Sequence, residues 1–132
     1  AIIDGMLIRV GESVYTIPIV NIRESFRTTS DKVFTDTEGN EMIMVRYSCY
    51  RVIRLYELFK TDTGCKEIES GIMVMTEGEH GAICLFADAL LGQQQVVIKA
   101  LPSFLKTIRE VSGCTLLGDG SISLILDVNK IN

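Results

Sequence analysis

Short apolar runs alternate with turn residues along most of this chain, which is the pattern of a β protein. The apolar run at 6–10 is followed by Gly11 and a second run at 14–17, and this predicts two antiparallel strands. Similar pairs recur within 33–47, 71–86 and 115–126, with Gly, Asp and Asn between the runs. About ten short strands are predicted, so the fold class is expected to be all-β, a barrel or a sandwich.

Three stretches depart from the strand pattern. Leu55, Leu58 and Phe59 fall on one face of a single helical turn, and a polar loop is expected at 60–69. A short turn is expected at 88–91, and residues 101–111 are compatible with one helical stripe. Each half of the chain shows a similar order of strands and turns, which suggests a weak internal repeat with one small barrel per half.

Composition and charge exclude several functional classes. The chain has 132 residues, of which 47% are hydrophobic, so one domain with a packed core is expected. Its net charge is −4 and no cluster of Lys and Arg is present, whereas a nucleic-acid-binding surface is basic. No apolar run is long enough to span a bilayer. The start at Ala1, without Met or a signal peptide, is expected of a fragment cut from a longer protein.

The four cysteines are far apart in the sequence. No Cys-x-x-Cys pair is present, so a structural zinc site is not expected. Reduced thiols in a cytoplasmic protein are expected instead, and most of these thiols stand among apolar residues.

Few residues are candidates for catalysis. His80 is the single histidine and falls in a predicted hairpin turn, where a solvated side chain is the ordinary interpretation. The stretch Gly118–Gly120 resembles a phosphate-binding loop, but β-forming residues follow it, which favours a hairpin. Asp88, Asp119 and Asp127 are conceivable as an acid–base group or metal site, although each also suits a local capping or turn role.

Four methionines recur with a period of two on predicted strands. Packing into the core is the ordinary interpretation of this spacing, and a deformable binding surface is the alternative. These residues are Met42, Met44, Met73 and Met75.

Five stretches, in order along the whole chain, resemble the CheW-like regulatory domain found at the C-terminus of bacterial chemotaxis histidine kinases. One departure is Tyr47, where the family usually has glycine. The matching stretches are Ile2–Gly11 with Tyr15–Pro18, Ile22–Ser25, Val45–Arg46 with Val52–Leu55 and Glu57–Phe59, Leu90–Lys99, and Gly113–Gly120 with Leu124–Val128.

This resemblance implies two SH3-like, five-stranded barrels packed together in a single domain at 1–132, with a boundary near 60–70 or intertwined strands. It implies a non-catalytic role; from the residues themselves, neither a cofactor nor a metal is expected. The expected partners are a CheW-type adaptor, the cytoplasmic tips of chemoreceptors and the rest of the kinase chain, with neither nucleic-acid binding nor membrane insertion. The expected location is the cytoplasm, in membrane-associated receptor arrays.

Four residues are expected at a protein interface by the same resemblance. Glu24 and Arg46 lie in motifs associated with partner binding in the adaptor, although a surface salt bridge is an equally simple interpretation. Ile17 and Ile19 flank Pro18 and are candidates for an apolar docking strip, although core packing also explains them.

Two other functions stay open at this point. The chain is conceivable as a free-standing adaptor of the same fold. A small hydrolase that uses His80 with a nearby carboxylate is the alternative from a different class.

Overall fold

Strands make up most of the computed structural model, which describes residues 1–131. They are β1 (Ile2–Val10), β2 (Ser13–Pro18), β3 (Ile22–Phe26), β4 (Val33–Thr35), β5 (Glu41–Val45), β6 (Ser48–Arg54), β7 (Ile72–Gly78), β8 (Gly81–Ala87), β9 (Ala89–Val97), β10 (Val111–Leu116) and β11 (Ile122–Leu126). The helices are α1 (Leu55–Leu58) and α2 (Val128–Ile131), and single 3-10 turns occur at Ile19–Asn21, Ser30–Lys32, Ile68–Ser70 and Ser103–Leu105. The expected all-β class is confirmed.

Two sheets are built from these strands. The first has the order β10-β11-β2-β1-β9 and so combines strands from both ends of the chain. The second has the order β3-β7-β8-β6-β5-β4 and comes from the middle. The predicted repeat of one barrel per half is therefore wrong, because the hairpin of β1 and β2 pairs with β9 on one side and with β11 on the other.

The edges of the first sheet are joined. Lys99 and Cys114 exchange two backbone hydrogen bonds, of 2.8 and 3.0 Å, between the chain after β9 and the edge strand β10. This bridge satisfies backbone groups that an open edge would expose to water.

The strands β7 and β8 lie at the centre of the second sheet and are buried on both faces. On one face, Val74 and Leu85 belong to the apolar core that the two sheets share, together with Ile8 and Ile17 from the first sheet. On the other face, side chains of β7 and β8 join a second core confined to the second sheet; it includes Met73, Met75, Cys84 and Phe86. Because both faces of these strands are buried, their sequences are continuous apolar runs and do not alternate between apolar and polar residues.

Two sequence-based expectations for the C-terminal half differ from the structure. Residues 88–91 were expected to form a short turn, but β9 begins at Ala89 and pairs with β1 along its length, with a bulge near Leu91. Residues 101–111 form no continuous helix; only Ser103–Leu105 makes a single turn. Local periodicity misses β9 because pairing with the distant β1 decides the backbone there.

Two buried threonines, Thr16 and Thr76, differ in whether their hydroxyl groups form a hydrogen bond. The Oγ1 atom of Thr16 lies 2.8 Å from the Oγ atom of Ser123, and both residues are fully buried. Thr76 is equally buried, yet its hydroxyl has no hydrogen-bond partner within residues 1–131. An unpaired buried hydroxyl destabilises the folded state.

We therefore expect Thr76→Val to raise the free energy of unfolding by about 1 kcal/mol, since it replaces the unpaired hydroxyl with a methyl group of similar size. The control Thr16→Val removes the partner of Ser123 and should lower this free energy by about 1–3 kcal/mol. Urea denaturation of both variants at neutral pH measures the difference. A destabilised Thr76→Val protein would show that its hydroxyl is satisfied in solution.

Candidate functional site

An ion pair connects two distant parts of the second sheet. Glu24 lies on the edge strand β3, and Arg46 lies in the two-residue turn between β5 and β6. The guanidinium of Arg46 donates to both carboxylate oxygens of Glu24, with Nη1–Oε1 at 3.4 Å and Nη2–Oε2 at 2.5 Å. The two residues that the sequence nominated separately thus meet, and the salt bridge offered as the alternative interpretation is present.

The turn that carries Arg46 has an unusual backbone. Arg46 has a φ of 56°, a region that favours glycine, and the structure records no positive φ for Tyr47. A positive φ at the first turn position alone is the pattern of a type II′ hairpin. Tyr47 follows at the tip of this hairpin and is fully exposed, so an aromatic ring is presented to solvent beside the ion pair.

The ion pair shifts the ionisation of both partners. The hydrogen bond from Arg46 lowers the pKa of the Glu24 carboxyl below its ordinary value of 4.5, and the same contact raises the pKa of Arg46. Both side chains are accessible to water, so solvent screens the attraction. The pair therefore orients the β5–β6 turn against β3 more than it stabilises the fold.

The predicted apolar strip around Pro18 is only partly accessible. Ile17 is fully buried in the core between the sheets, so the expectation that it contacts a partner is wrong; the alternative of core packing holds for this residue. Ile19 is half-buried in the 3-10 turn at Ile19–Asn21. Its neighbour Val20 has 91% of its surface exposed and was missed by the sequence analysis.

Exposed apolar groups also cover the outer face of β4, β5 and β6. The strand register places Phe34 opposite Met42, and Met44 opposite Cys49. Phe34 and Met44 are each 42% exposed, and Cys49 is exposed as well. The methionines therefore divide: Met73 and Met75 are core residues, as the ordinary interpretation predicted, whereas Met44 faces solvent.

A polar cleft lies where the β1–β2 turn meets the loop after α1. Its lining includes Arg9, Asp62, Cys65 and Asp88. The Asp88 carboxylate accepts hydrogen bonds from the backbone N–H of Gly11 and from other donors of the cleft, so it is occupied by structural contacts. The lining contains no histidine, and no nucleophile–base pair is found there.

The other residues considered for catalysis or metal binding lie in turns or at the start of a helix. His80 lies in the exposed turn between β7 and β8 and does not line this cleft. Gly118–Gly120 belongs to the β10–β11 hairpin, as predicted, where Asp119 accepts from the N–H of Ser121. Asp127 accepts from the N–H of Asn129 at the start of α2. The three aspartates do not form one cluster, and no group of three or more metal-ligating side chains occurs within residues 1–131.

The helices within the described part of the chain are all too short to cross a membrane. The four cysteines are free; burial raises the pKa of the Cys84 thiol to about 12, which keeps it protonated and unreactive. Of the three thiols in apolar stretches of the sequence, Cys84 and Cys114 are buried as small hydrophobic groups, whereas Cys49 faces solvent on the outer side of β6.

Comparison with known proteins identifies the family of this chain. The family model of the CheW-like domain matches residues 4–132. The chemotaxis protein CheA of Klebsiella aerogenes is 34% identical over 131 residues, which are 99% of this chain and 20% of that protein. The sensor histidine kinase CheAY of Helicobacter pylori is 36% identical over 132 residues, 99% of this chain and 16% of that protein. The chain thus spans about a fifth or less of the length of these relatives.

A solved structure is similar as well. The scaffolding protein TtCheW from Thermoanaerobacter tengcongensis matches with a TM-score of 0.82, covering 97% of this chain and 90% of that one, at 18% identity. This likeness shows the fold.

We expect the Glu24–Arg46 pair to make stability depend on pH. A carboxyl whose pKa is lower in the folded than in the unfolded state stabilises the fold above its unfolded pKa, and this contribution is lost as pH falls through the folded pKa. Glu24→Gln should therefore flatten the loss of stability on acidification below about pH 4.5. Thermal unfolding between neutral pH and pH 3 measures the effect. Glu38→Gln, at an exposed loop position outside the ion pair, is the control, and parallel curves for wild type and Glu24→Gln would contradict the expectation.

Proposed function

Because the chain belongs to the CheW-like domain family, we propose that it is the regulatory scaffold domain of a bacterial chemotaxis histidine kinase. In this role it binds a CheW-type adaptor and the cytoplasmic tips of chemoreceptors. CheW-like domains are non-catalytic scaffold domains, and this one is not itself an enzyme. The observation that carries the proposal is the match of 99% of the chain to two chemotaxis proteins CheA and a sensor histidine kinase CheAY, all several times its length.

The exposed surface suggests where an adaptor binds. Val20 offers an accessible apolar side chain a few residues before the ion pair on β3, and Tyr47 offers an aromatic ring beside that pair. Apolar and aromatic groups contribute most of the binding energy in protein interfaces, whereas charged groups at the rim mainly set orientation and specificity. We therefore assign the adaptor-binding surface to the 3-10 turn with Ile19 and Val20, and to the Glu24–Arg46 pair with the turn that carries it.

A domain of this kind regulates a kinase through differential affinity. A receptor or adaptor shifts the kinase between active and inactive states only if it binds the domain differently in those states. The ion pair orients part of the proposed binding surface against β3. The location proposed for this activity is the cytoplasm, within receptor arrays.

The strand arrangement supports one intertwined domain. The Lys99–Cys114 bridge joins the edges of the first sheet, and the Glu24–Arg46 pair joins β3 to the hairpin near the opposite edge of the second. We propose that each sheet closes into a barrel-like subdomain, with residues 1–132 forming a single domain.

A free-standing adaptor is the second candidate, favoured by the 90% coverage of the scaffolding protein TtCheW. Sequencing the gene around this region decides between the two. A kinase ATP-binding domain encoded upstream in the same reading frame supports the first proposal, and a start codon directly before Ala1 supports the second.

Substitution of Val20 tests the apolar part of the surface. We expect Val20→Asp to weaken binding of a CheW-type adaptor by about tenfold or more, because an interface residue with large exposure in the free protein loses its apolar contact. Leu116→Asp, at another exposed apolar position on the first sheet, is the matched control and should bind normally. Calorimetric titration gives the affinities, and normal binding by Val20→Asp removes this turn from the interface.

Exchanging the charges of Glu24 and Arg46 tests whether the ion pair contacts the adaptor or only orients the β5–β6 turn. Arg46→Glu alone places two carboxylates together, and the double variant Glu24→Arg with Arg46→Glu restores an intramolecular pair of opposite charges. If the pair contacts the adaptor, the double variant should recover stability but not adaptor affinity. Full recovery of affinity would instead assign the pair a purely structural role.

A further inference from the structure

The residues Lys60–Glu67, here called the crossover segment, connect α1 to the 3-10 turn at Ile68–Ser70. Both ends of the segment are anchored. Before it, the ring of Phe59 stacks on Tyr15 of β2 with 4.7 Å between the ring centroids. After it, Ile68 is buried in the core of the second sheet. The segment thus spans the junction between the sheets from one apolar anchor to the other.

Between these anchors the segment has few attachments of its own. Residues 62–66 form no regular structure and take part in no backbone–backbone hydrogen bond within the described chain. They are held by side chains instead: Thr63 Oγ1 donates to Asp88 Oδ2 at 2.6 Å and accepts from the Cys65 N–H at 3.0 Å. Arg54 Nη1 donates to the carbonyl of Lys66 at 2.7 Å. Among the residues that the structure describes, the one apolar contact of this stretch with a core is that of the partly buried Cys65 with the core of the second sheet. A stretch with exposed residues and few buried contacts opens at a lower free energy than the strands around it.

Asp88 is placed to control such an opening. It is the single residue between β8 of the second sheet and β9 of the first, and its side chain is 4% exposed. The same Oδ2 atom that binds Thr63 accepts from the backbone N–H of Gly11 at 2.9 Å and lies 3.5 Å from Arg9 Nη1. One carboxylate therefore ties the crossover segment to the β1–β2 turn.

The β1–β2 turn fits closely under the segment. Gly11 has a φ of +60°, and a Cβ atom built on it would lie 2.1 Å from the carbonyl oxygen of Asp62. Only glycine allows this approach of the two backbones. The contact is direct, and no side chain is available at Gly11 to hold the segment by apolar packing, which leaves the hydrogen bonds to Asp88 as the main restraint there.

We propose that the crossover segment is a strap that opens away from the Gly11 turn as a unit, and that the Asp88 carboxylate latches it closed. Opening breaks the hydrogen bond between Thr63 and Asp88 and moves Thr63 and Cys65 away from Asp88 and Ser70, which line the other side of the polar cleft. The domain then has two local states at the junction of its sheets. Such a two-state element is what a bound partner needs in order to act on the domain beyond its own contact surface.

Cys65 provides a native reporter of the strap. Its side chain is half-buried in the cleft, with Sγ 3.3 Å from Ser70 Oγ, and its thiol is free. Cys49 is exposed and distant in the fold from the cleft lining, whereas Cys84 and Cys114 are buried. Maleimide labelling can be followed at each cysteine separately by mass spectrometry of the peptides. The labelling rate of Cys65 then measures opening of the strap, that of Cys49 measures the reactivity of an exposed thiol, and those of Cys84 and Cys114 measure global unfolding.

The test compares Thr63→Val with Thr107→Val. Thr63→Val removes the donor to Asp88 together with the acceptor of the Cys65 N–H. We expect Cys65 labelling and amide exchange at Gly11 to become about 10- to 100-fold faster, which is the loss expected for a hydrogen bond to a charged group. Thr107→Val, at an exposed threonine outside the crossover segment, is the control and should leave both rates unchanged. Asp88→Asn keeps the size of the side chain but removes its charge, and should accelerate both rates in the same direction.

Two results would overturn the strap. One is labelling of Cys65 in Thr63→Val within twofold of the wild-type rate. The other is an increase at Cys65 matched by an equal increase at buried Cys84, because this would mean that the segment opens only when the whole domain unfolds. If Asp88→Asn does not fold, Thr63→Val decides alone. No adaptor or receptor is present in these measurements, so their outcome is independent of the proposed scaffold function.

Discussion

The rest of this structure depends on the apolar packing of β7 and β8, whose side chains are buried on both faces of the sheet. One face packs against the first sheet and the other fills the second sheet, so these two strands belong to two cores at once. Each fully buried aliphatic or aromatic side chain contributes roughly 1.5–3 kcal/mol relative to an exposed one. The strands that pack on them, including β1, β2 and β6, have their positions set by this shared apolar interior.

Because the interior is filled by packed apolar side chains, the residues that can bind a partner lie on the surface. The apolar side chains of the central strands are used for packing, so the groups that remain for recognition lie on the turns and outer faces. Val20 lies in the 3-10 turn before β3, Tyr47 and the Glu24–Arg46 pair lie close to β3, and Phe34 and Met44 lie on the outer face of β4 and β5. The buried carboxylate of Asp88 follows the same logic, because it is engaged by backbone and side-chain donors at the junction between the sheets rather than by a substrate. This division of roles is what a scaffold domain requires, since its surface must be presented on a stable support.

Sequence reasoning worked best where structure depends on near neighbours. The hairpins of β1 with β2, β7 with β8, and β10 with β11 were predicted because apolar runs and turn residues lie next to each other in the chain. The order of strands in the sheets was not predictable in this way. Pairing of β9 with β1 joins residues on opposite sides of the whole middle region, and no local pattern records it. The candidate site shows the same limit. Nothing local in the sequence indicates that Glu24 and Arg46 form an ion pair, and burial separates Ile17 from Val20 although both are β-branched apolar residues near Pro18.

The amino-acid sequence by itself determined that this protein is all-β, where most of its hairpins lie, and which family it resembles, because alternation, turn residues and motifs are written along the chain. Tertiary structure alone decided which strands share a sheet, which apolar residues reach solvent, and that Asp88 joins the β1–β2 turn to the segment after α1. These properties arise from contacts between residues far apart in the chain, and their formation depends on the shared core around β7 and β8 rather than on the preferences of any single stretch.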